Sequence, residues 1–137
     1  MVQFPTSQPH MASPWILLAP ECLYWGVRNV VDLWKIPAIY ITENGCSSDD
    51  VPTPAGRIDD VDRLMYLRNH LTQLHRATLE GYPVKGYFLW SLLDNFEWAD
   101  GYSKRFGIHY VDFKTQKRTP KLSAEWYREV IAHNAVI

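Results

Sequence analysis

The sequence predicts an α/β fold in which parallel strands pack against amphipathic helices. Three features predict it: two short runs rich in apolar, β-branched and aromatic residues, a long helical stripe between them, and further helical stripes before the first run and after the second. Strands alternating with helices of this size build βαβ units, whose parallel sheet is expected to be covered on both faces.

Taken in order, residues 1–25 are a Pro-containing segment expected to be irregular, because Phe4-Pro5, Gln8-Pro9 and Ser13-Pro14 each disfavour helix at the residue before proline. Within Leu23 to Lys35, Val27, Val30, Val31 and Trp34 recur at helical spacing, and Ile36-Pro37 ends the stripe. Ala38-Ile39-Tyr40-Ile41-Thr42 then reads as a buried strand closed by an Asn44-Gly45 turn, with Glu43 at its C-terminal end. Pro52, Pro54 and Gly56 mark residues 46–58 as loop.

Asp59 or Asp60 can cap a long helix carrying Val61, Leu64, Leu67, Leu71, Leu74 and Thr78 on one face, with Gly81 as its stop. Asp59, Asp60 and Asp62 read as an acidic helix start that complements the dipole. Val84 to Ser91 is the second strand, its aromatic content favouring strand over helix, and it leads to Trp90 at its C-terminal end. Asp94 to Arg105 is a polar and aromatic loop, Phe106 to Phe113 a further short strand, and Lys114 to Arg118 a polar turn. Pro120 is expected to open a last helix with Leu122, Trp126, Val130 and Ile131 on one face, running to about Asn134. A (β/α)8 TIM barrel needs eight strands and about 250 residues, so a chain with two core strands holds about the last quarter of one.

Composition narrows the function. The 137 residues carry a formal net charge of −1 and no basic run, which excludes the electrostatic footprint of a nucleic-acid or anionic-membrane binder. No apolar stretch approaches a membrane span, and Met1 to His10 lacks a basic-then-apolar signal pattern, so a soluble protein is expected. Cys22 and Cys46 have neither metal-ligand nor disulfide-framework spacing; two free thiols point to a reducing, cytoplasmic location. His70 and His75, five apart on the long helix, do not face one metal, and they and His109 read as surface or packing residues. No metal and no cofactor are expected. Aromatic residues make up 14% of the chain, including six tryptophans and eight tyrosines, which suits cores, interfaces and sugar-stacking faces alike.

A carboxylate at the C-terminal end of a parallel strand stands where barrel enzymes keep catalytic groups, which makes Glu43 the candidate. Taken alone, a glutamate before Asn-Gly is more often a solvated strand end. The surrounding motifs change that. Ile41-Thr42-Glu43-Asn44-Gly45 resembles the segment around the nucleophile of glycoside hydrolase family 1. The run from Trp90 through Ser91-Leu92-Leu93-Asp94-Asn95-Phe96-Glu97 to Trp98, followed by Gly101-Tyr102 and Arg105-Phe106-Gly107, is similar to that family's glycone-binding segment. Tyr110-Val111-Asp112-Phe113 and Thr119-Pro120-Lys121-Leu122-Ser123 resemble its last strand and final helix, and Trp25-Gly26-Val27-Arg28 loosely resembles the entry into its sixth helix.

The resemblance implies that residues 26–137 form the C-terminal part of a retaining β-glucosidase barrel. Such enzymes use two carboxyl groups about 5–5.5 Å apart, one attacking the anomeric carbon and the other protonating the leaving oxygen and later activating water. Glu43 would be the nucleophile. Trp90 would stack on the sugar, Glu97 would accept from its hydroxyls, Trp98 would donate its indole N–H, and Phe106 would close the pocket wall. A second carboxylate at Glu97 disfavours phosphorylated sugars, so a neutral β-glucoside or short β-linked oligosaccharide is the expected substrate, with glucose as the default glycone and galactose or fucose as alternatives.

One departure stands out: the family's acid/base motif, Thr-x-Asn-Glu-Pro, is absent, as are the upstream Gln and His-Trp that contact the same sugar. Asp94 or Glu97 as a substitute acid is disfavoured, because the resemblance places Glu97 away from the leaving group. The chain is therefore expected to be inactive in isolation and to need the N-terminal part of the barrel, with self-association through unpaired strand edges as another outcome. The alternative is a non-catalytic carbohydrate-binding or structural fragment that uses Trp90, Trp98 and Glu97 without turnover.

Overall fold

Two parallel strands, β1 (Ile39–Asn44) and β2 (Val84–Leu89), lie side by side, joined through the long helix α2 (Val61–Leu79). The computed structural model describes residue 5 and residues 7–137; the irregular chain expected over residues 1–4 and at residue 6 lies outside the described residues. Ahead of β1 runs α1 (Glu21–Trp34), and after β2 come a 3-10 turn (Trp98–Asp100), an antiparallel pair β3 (His109–Val111) and β4 (Arg118–Pro120), and α3 (Leu122–His133).

The helix starts and stops follow local chemistry. α1 begins at Glu21, two residues before the expected Leu23, because Pro20 already has a helical φ of −61° and needs no N–H there. It ends where Lys35 turns left-handed and donates its N–H to the Val31 carbonyl. Tyr24 and Val27 are its buried residues, whereas Trp34, placed on the stripe by spacing, is exposed. α2 stops before Gly81, whose φ of 89° an L side chain resists. Pro120 closes β4 instead of opening the last helix, which begins at Leu122. The polar turn before it is one residue shorter than expected, since Arg118 joins β4, and the strand expected over Phe106 to Phe113 keeps only three residues.

The core has two parts. Tyr24 and Val27 of α1 meet Leu71, Leu74 and Ala77 of α2, with Ile39, Ile41, Val84 and Tyr87 of the sheet packed against them. Met11, Ile16, Cys46, Tyr66, Leu67, Phe106, Ile108 and Ala124 form the second, beneath the C-terminal ends of the strands. Both clusters draw on one face of the sheet. The opposite face carries Tyr40 and Phe88, each more than half exposed at 58% and 59%, and among the described residues no helix covers it. The two-sided cover expected of a parallel sheet is thus corrected to one-sided.

Beneath the loops lies a buried ion cluster. Arg63 of α2 holds Asp50 through a two-pronged contact at 2.8 and 2.9 Å and also pairs with Asp60. Lys121 Nζ donates to Asp50 at 2.5 Å, to Asp94 at 2.8 Å and to the Gly107 carbonyl at 2.6 Å. Arg105 closes on Asp94 at 2.6 Å. Asp60 also accepts from the backbone N–H and hydroxyl of Ser123, and burial pushes its carboxyl up despite the Arg63 charge. Asp62 lies in the first turn of α2, as the acidic helix start predicts, whereas Asp60 at the N-cap makes no side-chain cap bond, and its capping role is corrected to a cross-link between α2 and α3. Among these residues three carboxylates face three cations, which is what makes burial tolerable.

Removing one partner of such a set strands the others in a dry site. Asp94→Ala is expected to lower unfolding free energy by about 3–5 kcal/mol, read from urea denaturation; a loss below about 1 kcal/mol, the range of surface pairs, would show the cluster to be far wetter than its geometry implies.

Candidate active site

The register of β1 against β2 is interrupted at the end that matters. Ile41 lies opposite Tyr87 and Asn44 opposite Leu89, so three steps along β1 match two along β2, and the extra residue falls at Thr42–Glu43. A bulge of this kind breaks the alternation of faces and re-aims a side chain. Thr42 and Glu43 are accordingly both exposed in succession. Glu43 is inside the strand, one residue before its end.

Asn44 and Gly45 follow, and their roles differ from the turn that the sequence suggested. The Asn44 carbonyl accepts from the Trp90 N–H at 3.0 Å, tying the two strand ends together. Gly45 has no left-handed φ; it is needed for space, since a Cβ there would stand 1.6 Å from the Trp90 carbonyl oxygen. Trp90, just past β2 and joined to Ser91 by a cis peptide bond, is thereby set beside the β1 terminus.

The loop after β2 brings the remaining candidates. Its two ends are pinned by the Asp94–Arg105 pair, and the Arg105 guanidinium lies over the rings of Tyr110 and Phe113, 4.0 and 4.7 Å from their centroids. Between those ends Glu97 exchanges backbone hydrogen bonds with Gly101, and its Oε2 accepts the Trp90 indole N–H at 3.3 Å. Trp98 takes a φ of 41°, uncommon for a bulky residue, and its side chain is 82% exposed. Phe106 is buried and stacks on Trp15, the ring centroids 6.2 Å apart.

Glu43, Trp90, Glu97, Trp98 and Phe106 all line one cavity of about 470 Å³ at the C-terminal ends of the two strands. Asp94 does not line it, being committed to Lys121, Arg105 and the Gly107 and Val111 N–H groups. Trp15, Tyr66 and His70 also line the cavity and were not singled out as site residues from the sequence. Trp15 comes from a stretch with no periodic signal. Tyr66 and His70 are four apart on α2 and stack at 3.8 Å, a spacing that pairing His70 with His75 overlooks.

The thiols offer no competing nucleophile. Burial pushes Cys46 up to about 12 and also raises Cys22, so both stay protonated at neutral pH. Among the described residues no group of three or more His, Cys, Asp or Glu side chains is placed to hold a metal ion. What the cavity presents is two carboxylates, Glu43 and Glu97, among indole and phenyl faces.

The sequence profile of glycosyl hydrolase family 1 matches residues 2–136. The chain belongs to glycosyl hydrolase family 1. Beta-glucosidase A of Thermotoga maritima is 51% identical over 128 residues, covering 93% of this chain and 28% of that protein. A bifunctional beta-D-glucosidase/beta-D-fucosidase of Bifidobacterium breve is 44% identical over 135 residues, 96% of this chain and 29% of its own length. The solved family 1 β-glucosidase from Thermotoga maritima superposes with a TM-score of 0.94 at 48% identity, over 98% of this chain and 31% of that one. The same Thermotoga enzyme has been solved with glucoimidazole bound. The chain thus spans under a third of the length of these family 1 relatives, and its fold is that of a segment of their structure.

Two measurements probe this geometry. Gly45→Ala is expected to cost about 3 kcal/mol, the upper end of overpacking, in urea denaturation, because the atoms in its way all belong to the Trp90 backbone. A neutral result would mean that the strand ends can separate freely. The second concerns His70, whose imidazole burial holds below its ordinary 6.5. As pH falls below that value the unfolded chain gains a proton that the folded chain refuses, so the stability from neutral His70 is whole above it and lost beneath it. Stability is expected to drop between about pH 7 and about pH 5, with a smaller drop in His70→Gln; equal drops in both proteins would assign the effect elsewhere.

Proposed function

We propose that this chain supplies the nucleophile and the glycone floor of a retaining β-glucosidase. The observation that carries the reading is the convergence of Glu43, Trp90, Glu97, Trp98 and Phe106 on one cavity at the strand ends. In the first step a Glu43 carboxylate oxygen forms a bond to the anomeric carbon, the bond from that carbon to the leaving oxygen breaks, and its electron pair departs with the aglycone. A proton from a second carboxylic acid neutralises that oxygen. In the second step the same acid, now a carboxylate, takes a proton from water, whose oxygen attacks the anomeric carbon and frees Glu43 with the original configuration restored.

Each remaining residue has a part in holding the sugar. Trp90 stacks on its apolar face, and because its N–H is given to Oε2 of Glu97, the Oε1 of Glu97 is left to accept from glycone hydroxyls. The exposed Trp98 offers its indole N–H to another hydroxyl, and buried Phe106 forms the wall. With two carboxylates in one cavity, a neutral glycone is favoured over a phosphorylated one. Glucose is the default; the relatives named for glucosidase and fucosidase activity support it with fucose as a neighbour.

The family's acid/base motif is absent from this sequence, so in this reading that carboxylate comes from further strands of the barrel, which would also cover the open face bearing Tyr40 and Phe88. This supports the N-terminal part of the same barrel as the partner. An activated 2-deoxy-2-fluoroglucoside carrying a dinitrophenolate leaving group tests the assignment, since such a phenolate departs without acid help. Mass spectrometry of the protein assembled with those strands is expected to find the fluoroglucosyl group on Glu43. Glucose binding without that adduct, and without hydrolysis of an aryl β-glucoside, would instead leave a carbohydrate-binding or structural fragment.

A further inference from the structure

The bulge that aims Glu43 is a one-residue excess, and such an excess can migrate: shifting it along β1 by one position would turn Glu43 to the helix-packed face. Something must hold it in place, and the residue next to Glu43 is hydrogen-bonded through both its side chain and its carbonyl. The Tyr87 hydroxyl of β2 donates to Asn44 Oδ1 at 2.8 Å and reaches the Asn44 carbonyl at 3.2 Å. Asn44 Nδ2 donates to the Tyr66 hydroxyl of α2 at 3.3 Å. The carbonyl of the same residue takes the Trp90 N–H. One residue is thus bound to the neighbouring strand, to the helix behind the sheet, and to the backbone of the tryptophan across the cavity.

We propose that Asn44 is a positioning residue: clamped between Tyr87 and Tyr66, it locks the Thr42–Glu43 bulge so that Glu43 faces Trp90 and the cavity. This rests on Glu43 being the nucleophile. The clamp is insensitive to pH, because burial pushes the Tyr66 hydroxyl up to about 12 and Tyr87 higher still, so both phenols remain neutral throughout the range in which a carboxylate works. Its loss should lower the attack rate at every pH without moving the profile. It should also leave sugar affinity intact, because the proposed reading gives the glycone contacts to Trp90, Glu97, Trp98 and Phe106, and Tyr66, which also lines the cavity, is untouched by the variants used.

The test uses the labelling reaction above, on the same assembled protein, followed in time at several fluoroglucoside concentrations. Asn44→Ala is expected to lower the limiting labelling rate constant on the order of 10- to 100-fold, the scale at which ångström displacements act, with the half-saturating concentration unchanged. Tyr87→Phe, which removes one hydroxyl and little volume, should lower it in the same direction, and the double variant should be no slower than Asn44→Ala alone, as befits members of one unit. Only the rate constant of the labelled fraction is compared, so a loss of folded protein, which lowers the amplitude, does not mimic the effect. Should Asn44→Ala fail to fold, Tyr87→Phe carries the test. An unchanged rate constant in Tyr87→Phe, a loss confined to affinity, or additive losses in the double variant would overturn the positioning role while leaving the nucleophile assigned. No adduct on Glu43 in the parent protein would remove the glucosidase reading and this inference together.

Discussion

Asp94 is the point on which the loop architecture turns. One carboxylate, fully buried, accepts from Lys121 and the Gly107 N–H on one oxygen and from Arg105 and the Val111 N–H on the other. Through Lys121 it is linked to Asp50, and through Asp50 to Arg63 of the long helix. The loop that follows β1, the loop that follows β2 and the start of the last helix are therefore joined by charge as well as by the apolar cluster of Cys46, Phe106, Ile108 and Ala124. A buried ion cluster adds little stability compared with a well-packed apolar one, but it admits few alternative arrangements, since any misplaced member leaves an unpaired charge. For loops that must hold Glu97 and Phe106 against a strand end, that intolerance is the useful property.

Above the cluster, the sheet sets direction. Two strands in ordinary register would present alternate residues to the core and to the open face, and Glu43 would follow Thr42 to the opposite side. The bulge breaks that alternation, and close contact between Gly45 and the Trp90 carbonyl brings the two strand ends within reach. A glutamate and a tryptophan separated by the whole of α2 thus line one cavity.

Periodicity revealed much of this in advance. The apolar runs at β1 and β2 and the three- and four-residue recurrence of Leu64, Leu67, Leu71 and Leu74 marked the strands and α2, because burial of one face leaves a regular imprint on sequence. The ion cluster leaves none. Asp50 lay in a polar loop, Asp60 at a helix start, Arg63 among helix-surface charges and Lys121 after a proline, each in a place where charge is ordinarily solvated. Their burial depends on segments up to 71 residues apart meeting in space. Asn44-Gly45 misled for a related reason: the pair is a common turn signal, yet here the glycine serves a close backbone approach and the asparagine a side-chain clamp, and neither needs a left-handed backbone. Trp15 was invisible because an aromatic in an aperiodic stretch has no pattern to betray its neighbour, Phe106.

The open face of the sheet connects architecture to chemistry. Tyr40 and Phe88 are large apolar side chains left half in water, and the Tyr40 ring lies over Gly86 so closely that a Cβ there would stand 2.8 Å from it. A parallel sheet with helices on one side only is an arrangement that proteins seldom leave uncovered, because strands buried on both faces are what parallel pairing ordinarily demands. The cavity that holds Glu43 opens at the end of that same sheet, so whatever covers Tyr40 and Phe88 also adds the remaining wall of the site. Completion of the core and enclosure of the cavity are then linked: a segment that removed those aromatic rings from water would also narrow the opening beside Glu43.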